Sequence, residues 1–171
     1  NSFKGHSFQF TINSPSELEP NLESSLEERF KQLKWLISEF GLLSINYRYD
    51  PIILYKRKGD REIRSNLNRF KYIIKNISQL GIKEVIFSFA TIYSKVEKRM
   101  KRRGFLPIEL KTSTKKQIIS KILPIVEKYG LKLKACCQPD LLEVEGIAQS
   151  HCIDAVRLEK LIHSPLSKKK D

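Results

Sequence analysis

The sequence predicts an α/β fold, a half or partial (β/α) barrel of the TIM type, and three observations lead there. Short apolar segments with strand character lie near 8–12, 43–49, 85–89 and 131–136. Each stretch between them carries a helical pattern, with apolar residues three or four apart. No glycine-rich phosphate loop follows any strand, which removes the dinucleotide fingerprint and the P-loop. Helical connections favour parallel pairing and right-handed crossovers. Four such units make half of an eight-unit barrel or a small open sheet, and the missing phosphate loop favours the barrel. The four strands are therefore expected to be parallel neighbours in chain order.

In order, Phe8-Gln9-Phe10-Thr11-Ile12 alternates with the two-residue period of a strand. The stretch Ser14-Pro15-Ser16-Glu17-Leu18-Glu19-Pro20-Asn21 is a loop. Ser24 and Ser25, with Glu27 and Glu28 three residues on, offer two overlapping capping boxes for a first helix that ends at Gly41. Ile45-Asn46-Tyr47-Arg48-Tyr49-Asp50 alternates as the central strand, and Pro51 is expected to stop it. Lys56-Arg57-Lys58-Gly59-Asp60-Arg61 reads as a charged loop. A second helix, capped by Ser65 or Asn66, carries Leu67, Phe70, Ile73, Ile74, Ile77 and Leu80 to Gly81.

Val85-Ile86-Phe87-Ser88-Phe89 is nearly continuous in apolar residues, as a strand covered on both faces should be. A short basic helix follows to Gly104, and Leu106-Pro107 marks a break. Thr112, Ser113 or Thr114 caps a third long helix in which Pro124 should introduce a kink. Leu131-Lys132-Leu133-Lys134-Ala135-Cys136-Cys137 is the fourth strand. Residues 141–149 stay ambiguous, with one helical turn as an option, and 154–162 reads as a last helix.

The 171 residues suffice for one domain with a real core, and 1–171 reads as a single α/β domain. Asn1 at the start and Ser167-Lys168-Lys169-Lys170-Asp171 at the end look cut, so a segment of a longer chain is expected. Two exposed parallel edges would invite aggregation, so flanking chain or another subunit is expected to cover them. No apolar run is long enough to span a bilayer, and there is no signal peptide. Three cysteines without repeated spacing argue against a secreted disulfide scaffold and for a reduced, cytoplasmic protein.

Parallel connection gathers the C-terminal ends of the strands on one side. Gln9, Thr11 and Asn13, Arg48 and Asp50, Ser88, Thr91 and Tyr93, and Cys137 and Gln138 meet there. The planar fork of Arg48 suits a phosphate or carboxylate. Asp50 is a base, a metal ligand or the partner of Arg48, and pairing would make it a poor base near neutral pH. Anchoring of substrate or cofactor is preferred to acid–base catalysis, against the plainer reading of an ion pair that closes the sheet.

Cys136, Cys137, His151 and Cys152 invite a metal reading, and Cys137 and Cys152 are the metal candidates, drawn together if the connection between them folds over the mouth. Cys136, next to Cys137 in the strand, is expected to face the helices and be inert. Packing cysteines are the competing reading, since no C-x₂-C pair is present. His6 and His163 have no partner in sequence.

The net charge of +13 favours polyanions. Lys95, Lys98, Arg99 and Arg102 lie on neighbouring faces of the basic helix and are the nucleic-acid candidates. A merely solvated helix face is the alternative.

Phe8-Gln9-Phe10-Thr11 with Leu18-Glu19-Pro20-Asn21, Tyr47-Arg48-Tyr49-Asp50-Pro51-Ile52, Phe87-Ser88-Phe89 with Tyr93, and Cys137 with Cys152-Ile153-Asp154 occur in this order. Together they resemble a bacterial family known as a domain of unknown function, itself distantly similar to radical-SAM proteins of the spore photoproduct lyase type. The resemblance spans nearly the whole chain. It implies a partial or full barrel in a longer protein with a C-x₃-C-x₂-C tail that binds a [4Fe–4S] cluster and S-adenosylmethionine. This chain has no such run. Gln9, Thr11, Arg48, Asp50, Cys137, Cys152 and Asp154 carry over as motif positions. The resemblance implies the barrel segment of an iron–sulfur, radical-SAM-like enzyme, and with the net charge it suggests nucleic acid as substrate. A basic nucleic-acid-binding module without catalysis, or a scaffold half-domain completed by a partner, are the alternatives.

Overall fold

The computed structural model describes residues 5–165. The two ends that read as cut lie outside them. Strands β1 (Phe8–Thr11), β2 (Ile45–Ile52), β5 (Glu84–Phe89), β7 (Lys132–Cys136) and β8 (Ile147–Ser150) form one parallel sheet in that spatial order. The sheet does not close, so the architecture is α/β with a partial barrel. Strands β3 (Leu54–Arg57), β4 (Arg64–Ser65) and β6 (Phe105–Pro107) form a small antiparallel annex beside it.

Helices α1 (Leu26–Phe40), α2 (Phe70–Gln79) and α4 (Thr112–Lys128) cover one face of the parallel sheet. Strand alternation decides what they bury. Tyr47, Tyr49, Val85, Phe87, Leu133 and Ala135 point to the helices and meet Leu33, Ile73, Ile74, Ile119 and Val126 in one core. Two tyrosines in that core need hydrogen-bond partners. Tyr47 donates to the Ile12 carbonyl at 3.0 Å. Tyr49 donates to the Asn66 carbonyl and shares a 2.7 Å bond with Ser14 Oγ.

The opposite face carries the alternate residues Gln9, Asn46, Arg48, Asp50, Glu84, Ile86, Ser88, Lys134 and Cys136. Among the described residues α5 (Ala155–Ile162) is the helix that lies against it, with no buried residue of its own. Arg157 ties α5 down by donating to the carbonyls of Leu42, Leu43 and Ile45. A cavity of about 440 Å³ remains between them, lined by Asn46, Ile86, Lys134, Asp154, Val156 and Arg157 among others.

Several local expectations are corrected. Strand β2 runs through Pro51 to Ile52 because the missing donor falls at a shift in the register with β5. Ser65 and Asn66 do not cap α2. Ser65 lies in β4, and Asn66 is committed to Ile53 and Pro51, so the helix starts at Phe70. Thr112 is already helical, its hydroxyl turned to Asp140 at 2.9 Å, and the cap residue is Lys111. The charged loop begins inside β3, and the break at 106–107 is β6. A short 3₁₀ turn at Pro139–Leu141 precedes β8, so the ambiguous stretch supplies a fifth parallel strand. Of the two capping boxes, that of Ser25 and Glu28 forms.

Helix α3 (Ser94–Arg102) follows β5 and packs on β6 of the annex. Among the described residues no helix is long and apolar enough to cross a membrane.

Candidate metal centre

Strand β7 determines where its cysteines go. Leu133 and Ala135 face the helices, so Cys136 must face the other way, beside Lys134. The expectation that Cys136 packs inertly among the helices is therefore corrected. Cys137 would then point to the helices if the strand continued. It does not continue: Cys137 adopts a left-handed backbone with φ 55. For a residue with a Cβ that conformation costs about 1–2 kcal/mol. The turn it makes brings the sulfur of Cys137 back to that of Cys136.

The third sulfur arrives from β8. Cys136 pairs in register with Ser150, and two residues later Cys152 reaches the same point. The Cys152 carbonyl accepts from Gln9 Nε2 at 3.2 Å, which ties this end of the chain to β1 across the polar face. The three Sγ atoms form a nearly equilateral triangle, with sides of 3.7 Å (Cys136–Cys137), 3.6 Å (Cys136–Cys152) and 3.7 Å (Cys137–Cys152). No disulfide joins them; Cys136 is buried and the other two are exposed.

Arg48 stands beside the triangle and its guanidinium contacts Cys136. Its Nε and NH2 donate to Asp50 Oδ2 at 2.9 and 2.5 Å, and NH1 donates to Gln9 Oε1 at 3.2 Å. Asp50 is held in turn. The Ser88 hydroxyl donates to its Oδ1, and Asn13 bonds both of its backbone groups, at 3.0 and 2.9 Å. A continuous chain thus runs from Ser88 through Asp50 and Arg48 to the thiols. With Nε and NH2 committed to Asp50 and NH1 to Gln9, the guanidinium is fixed in place beside Cys136.

The electrostatics follow. Burial pushes the Cys136 thiol up, but Arg48 and the neighbouring thiols outweigh it and the net direction is down. Cys137 is pushed up to about 11 by its contacts with Cys136 and Cys152 and by their charge. The Arg48 cation and the neighbouring thiols thus favour the thiolate at Cys136, while contact with the other sulfurs disfavours it at Cys137.

Not every expected residue reaches this centre. Thr11 is exposed on β1, opposite Arg48 in register. Asp154 caps α5 by accepting from the Arg157 N–H at 3.0 Å, and it lines the cavity instead of the thiol triangle. Gln138 donates to the Phe89 carbonyl at 3.0 Å, while its buried Oε1 has no partner among the described residues. His6 packs against Phe8 and Phe40, so it does have a structural role. Lys95, Lys98, Arg99 and Arg102 are exposed on α3, with no ion pair among the described residues. The alternation of 133, 134, 135 and 136, carried through, would have placed Cys136 on the polar face.

No curated protein and no solved structure matches the chain. A family model described as "Domain of unknown function (DUF1848)" matches residues 3–171, and the chain belongs to that family.

Proposed function

We propose that this chain is the metal-binding, substrate-facing wall of a partial-barrel enzyme. The observation that carries the reading is the triangle of thiols at the C-terminal rim of a parallel sheet, beside an oriented cation. That rim is where α/β folds place chemistry. Fold alone is weak warrant, so the weight rests on the sulfurs. Thiolates are the ligands of zinc, of copper(I) and of iron–sulfur centres. Resemblance to the radical-SAM proteins supports the iron–sulfur form, with S-adenosylmethionine bound by the full-length protein. Acid-labile sulfide distinguishes that form from a single ion.

The test is metal content. Full-length protein prepared anaerobically should retain metal, and a variant with Cys137→Ala and Cys152→Ala should lose it. Equal metal in the two preparations would return these cysteines to packing.

A second reading, nucleic acid as partner, is supported by charge that the fold leaves uncompensated. In and around the annex Arg57 and Arg64 bind Glu17, and Lys101 binds Glu97, but among the described residues Lys95, Lys98, Arg99 and Arg102 carry no ion pair. Tyr93, 66% exposed at the start of α3, adds a stacking surface. Replacing the four cations by Gln should weaken binding to single-stranded nucleic acid and flatten its salt dependence. An unchanged slope would make this a solvated helix.

A further inference from the structure

The metal-centre reading rests on the thiols and takes its iron–sulfur form from resemblance alone; the geometry points instead to one soft divalent ion of the zinc type, bound by Cys136, Cys137 and Cys152, with a fourth position open to an external ligand. This inference rests on the metal-binding part of that reading and replaces its iron–sulfur form.

Distance is the first argument. Two thiolates about 2.3 Å from one tetrahedral ion stand about 3.8 Å apart. The three sides of the sulfur triangle, 3.6 to 3.7 Å, match that edge on every pair. The match is within about 0.2 Å, the tolerance expected of a real site. A cubane cluster asks for something else. Each of its thiolates binds a different iron and points away from the others. Sulfurs already in mutual contact leave no room for iron–iron edges between them.

The backbone is the second argument. Successive strand residues point to opposite faces, so adjacent cysteines do not converge by default. Here they converge because Cys137 takes the left-handed conformation. Its neighbour Gln138 is anchored to β5 through the Phe89 carbonyl, which holds the turn in place. Cys152 is positioned separately through Gln9. Three sulfurs are thus brought together by three independent local devices.

Charge is the third. A dication with three thiolates keeps one negative charge, and Arg48 is the cation beside it. Asp50 and Gln9 hold that arginine, and Ser88 holds Asp50, as partners of metal ligands are held elsewhere. Structural zinc sites are closed by four protein ligands, whereas catalytic sites offer three and leave one position to water or substrate. Among the described residues no fourth His, Cys, Asp or Glu joins the triangle. Cys137 and Cys152 are exposed, so the fourth position faces solvent.

The experiment uses cobalt as a coloured reporter. Metal-free protein is titrated anaerobically with Co²⁺, followed by the thiolate-to-cobalt charge-transfer band and the tetrahedral d–d bands. One Co²⁺ per chain is expected. Cys137→Ser and Cys152→Ser, at exposed positions, should each weaken binding at least about tenfold while the far-UV spectrum stays unchanged. Imidazole, added as an external ligand, should shift the d–d bands. Bands that imidazole does not move would overturn the open position. Reconstitution with iron and inorganic sulfide in equal amounts would overturn the single ion and leave the metal-centre reading standing. Protein that takes up neither cobalt nor iron would overturn both.

Discussion

The two faces of the parallel sheet are built from alternate residues of the same strands, and they do opposite work. Toward α1, α2 and α4 the strands present Tyr47, Tyr49, Phe87, Leu133 and Ala135, and water is excluded. Toward α5 they present Gln9, Arg48, Asp50, Ser88 and Cys136, knit by hydrogen bonds and only partly covered. The first face is held by area, which is non-directional and tolerant of detail. The second is held by a directional relay in which each member fixes the next. A fold can change its chemistry by altering every second residue while the core stays intact.

The largest expected effect lies on the core face. Phe87 is 1% exposed, and Phe87→Ala should cost about 3–5 kcal/mol in urea unfolding through lost burial and the cavity left behind. If stability hardly changed, the helix-covered face would not be the main source of stability.

Arg48→Gln should show the opposite balance. It keeps a donor near Asp50 but removes the cation beside Cys136, so metal affinity should fall about 10–100-fold. The stability loss of the metal-free protein should stay below that of Phe87→Ala, at about 1–3 kcal/mol for a partly buried acid left under-satisfied. Equilibrium metal competition and urea unfolding on the same variant measure both. A large stability loss with unchanged affinity would make Arg48 a structural ion pair only.

A smaller effect belongs to the annex and serves as a control outside both faces. The hydrogen bond from Arg57 to Glu17 is the chief cause that lowers this carboxyl from 4.5 to about 2; partial burial opposes it and Arg64 and Tyr55 add to it. A lowered folded value means stability that is present above the ordinary value and is lost as pH falls toward the folded one. The stability difference between the protein and Glu17→Gln should therefore shrink between pH 4.5 and about 2, with cobalt binding at neutral pH unaffected. A gap independent of pH across that range would remove the ion pair from the account.

The parallel order of β1, β2, β5 and β7 was legible because each strand has an alternating or continuous apolar pattern and helices lie in the stretches between them. Strand β8 was not: Ile147-Ala148-Gln149-Ser150 carries one large apolar residue, and register with β7 decides it. The annex was hidden for the same reason. Leu54-Tyr55-Lys56-Arg57 looks like a charge run until Phe105-Leu106-Pro107 pairs with it from far along the chain.

At the site, the pairing of Arg48 with Asp50 was readable from strand spacing. The convergence of Cys137 on Cys136 was not, because it depends on a left-handed residue that no local preference for glycine or asparagine announces. Cys136 itself could have been placed by carrying the alternation of β7 one residue further.

The most direct test of the account is X-ray absorption at the edge of the metal bound by the anaerobically loaded protein. One shell of three sulfurs at about 2.3 Å, with one lighter or exchangeable ligand and no neighbouring metal, is the predicted result. A shell of metal neighbours at bonding distance, or coordination without sulfur, would contradict it.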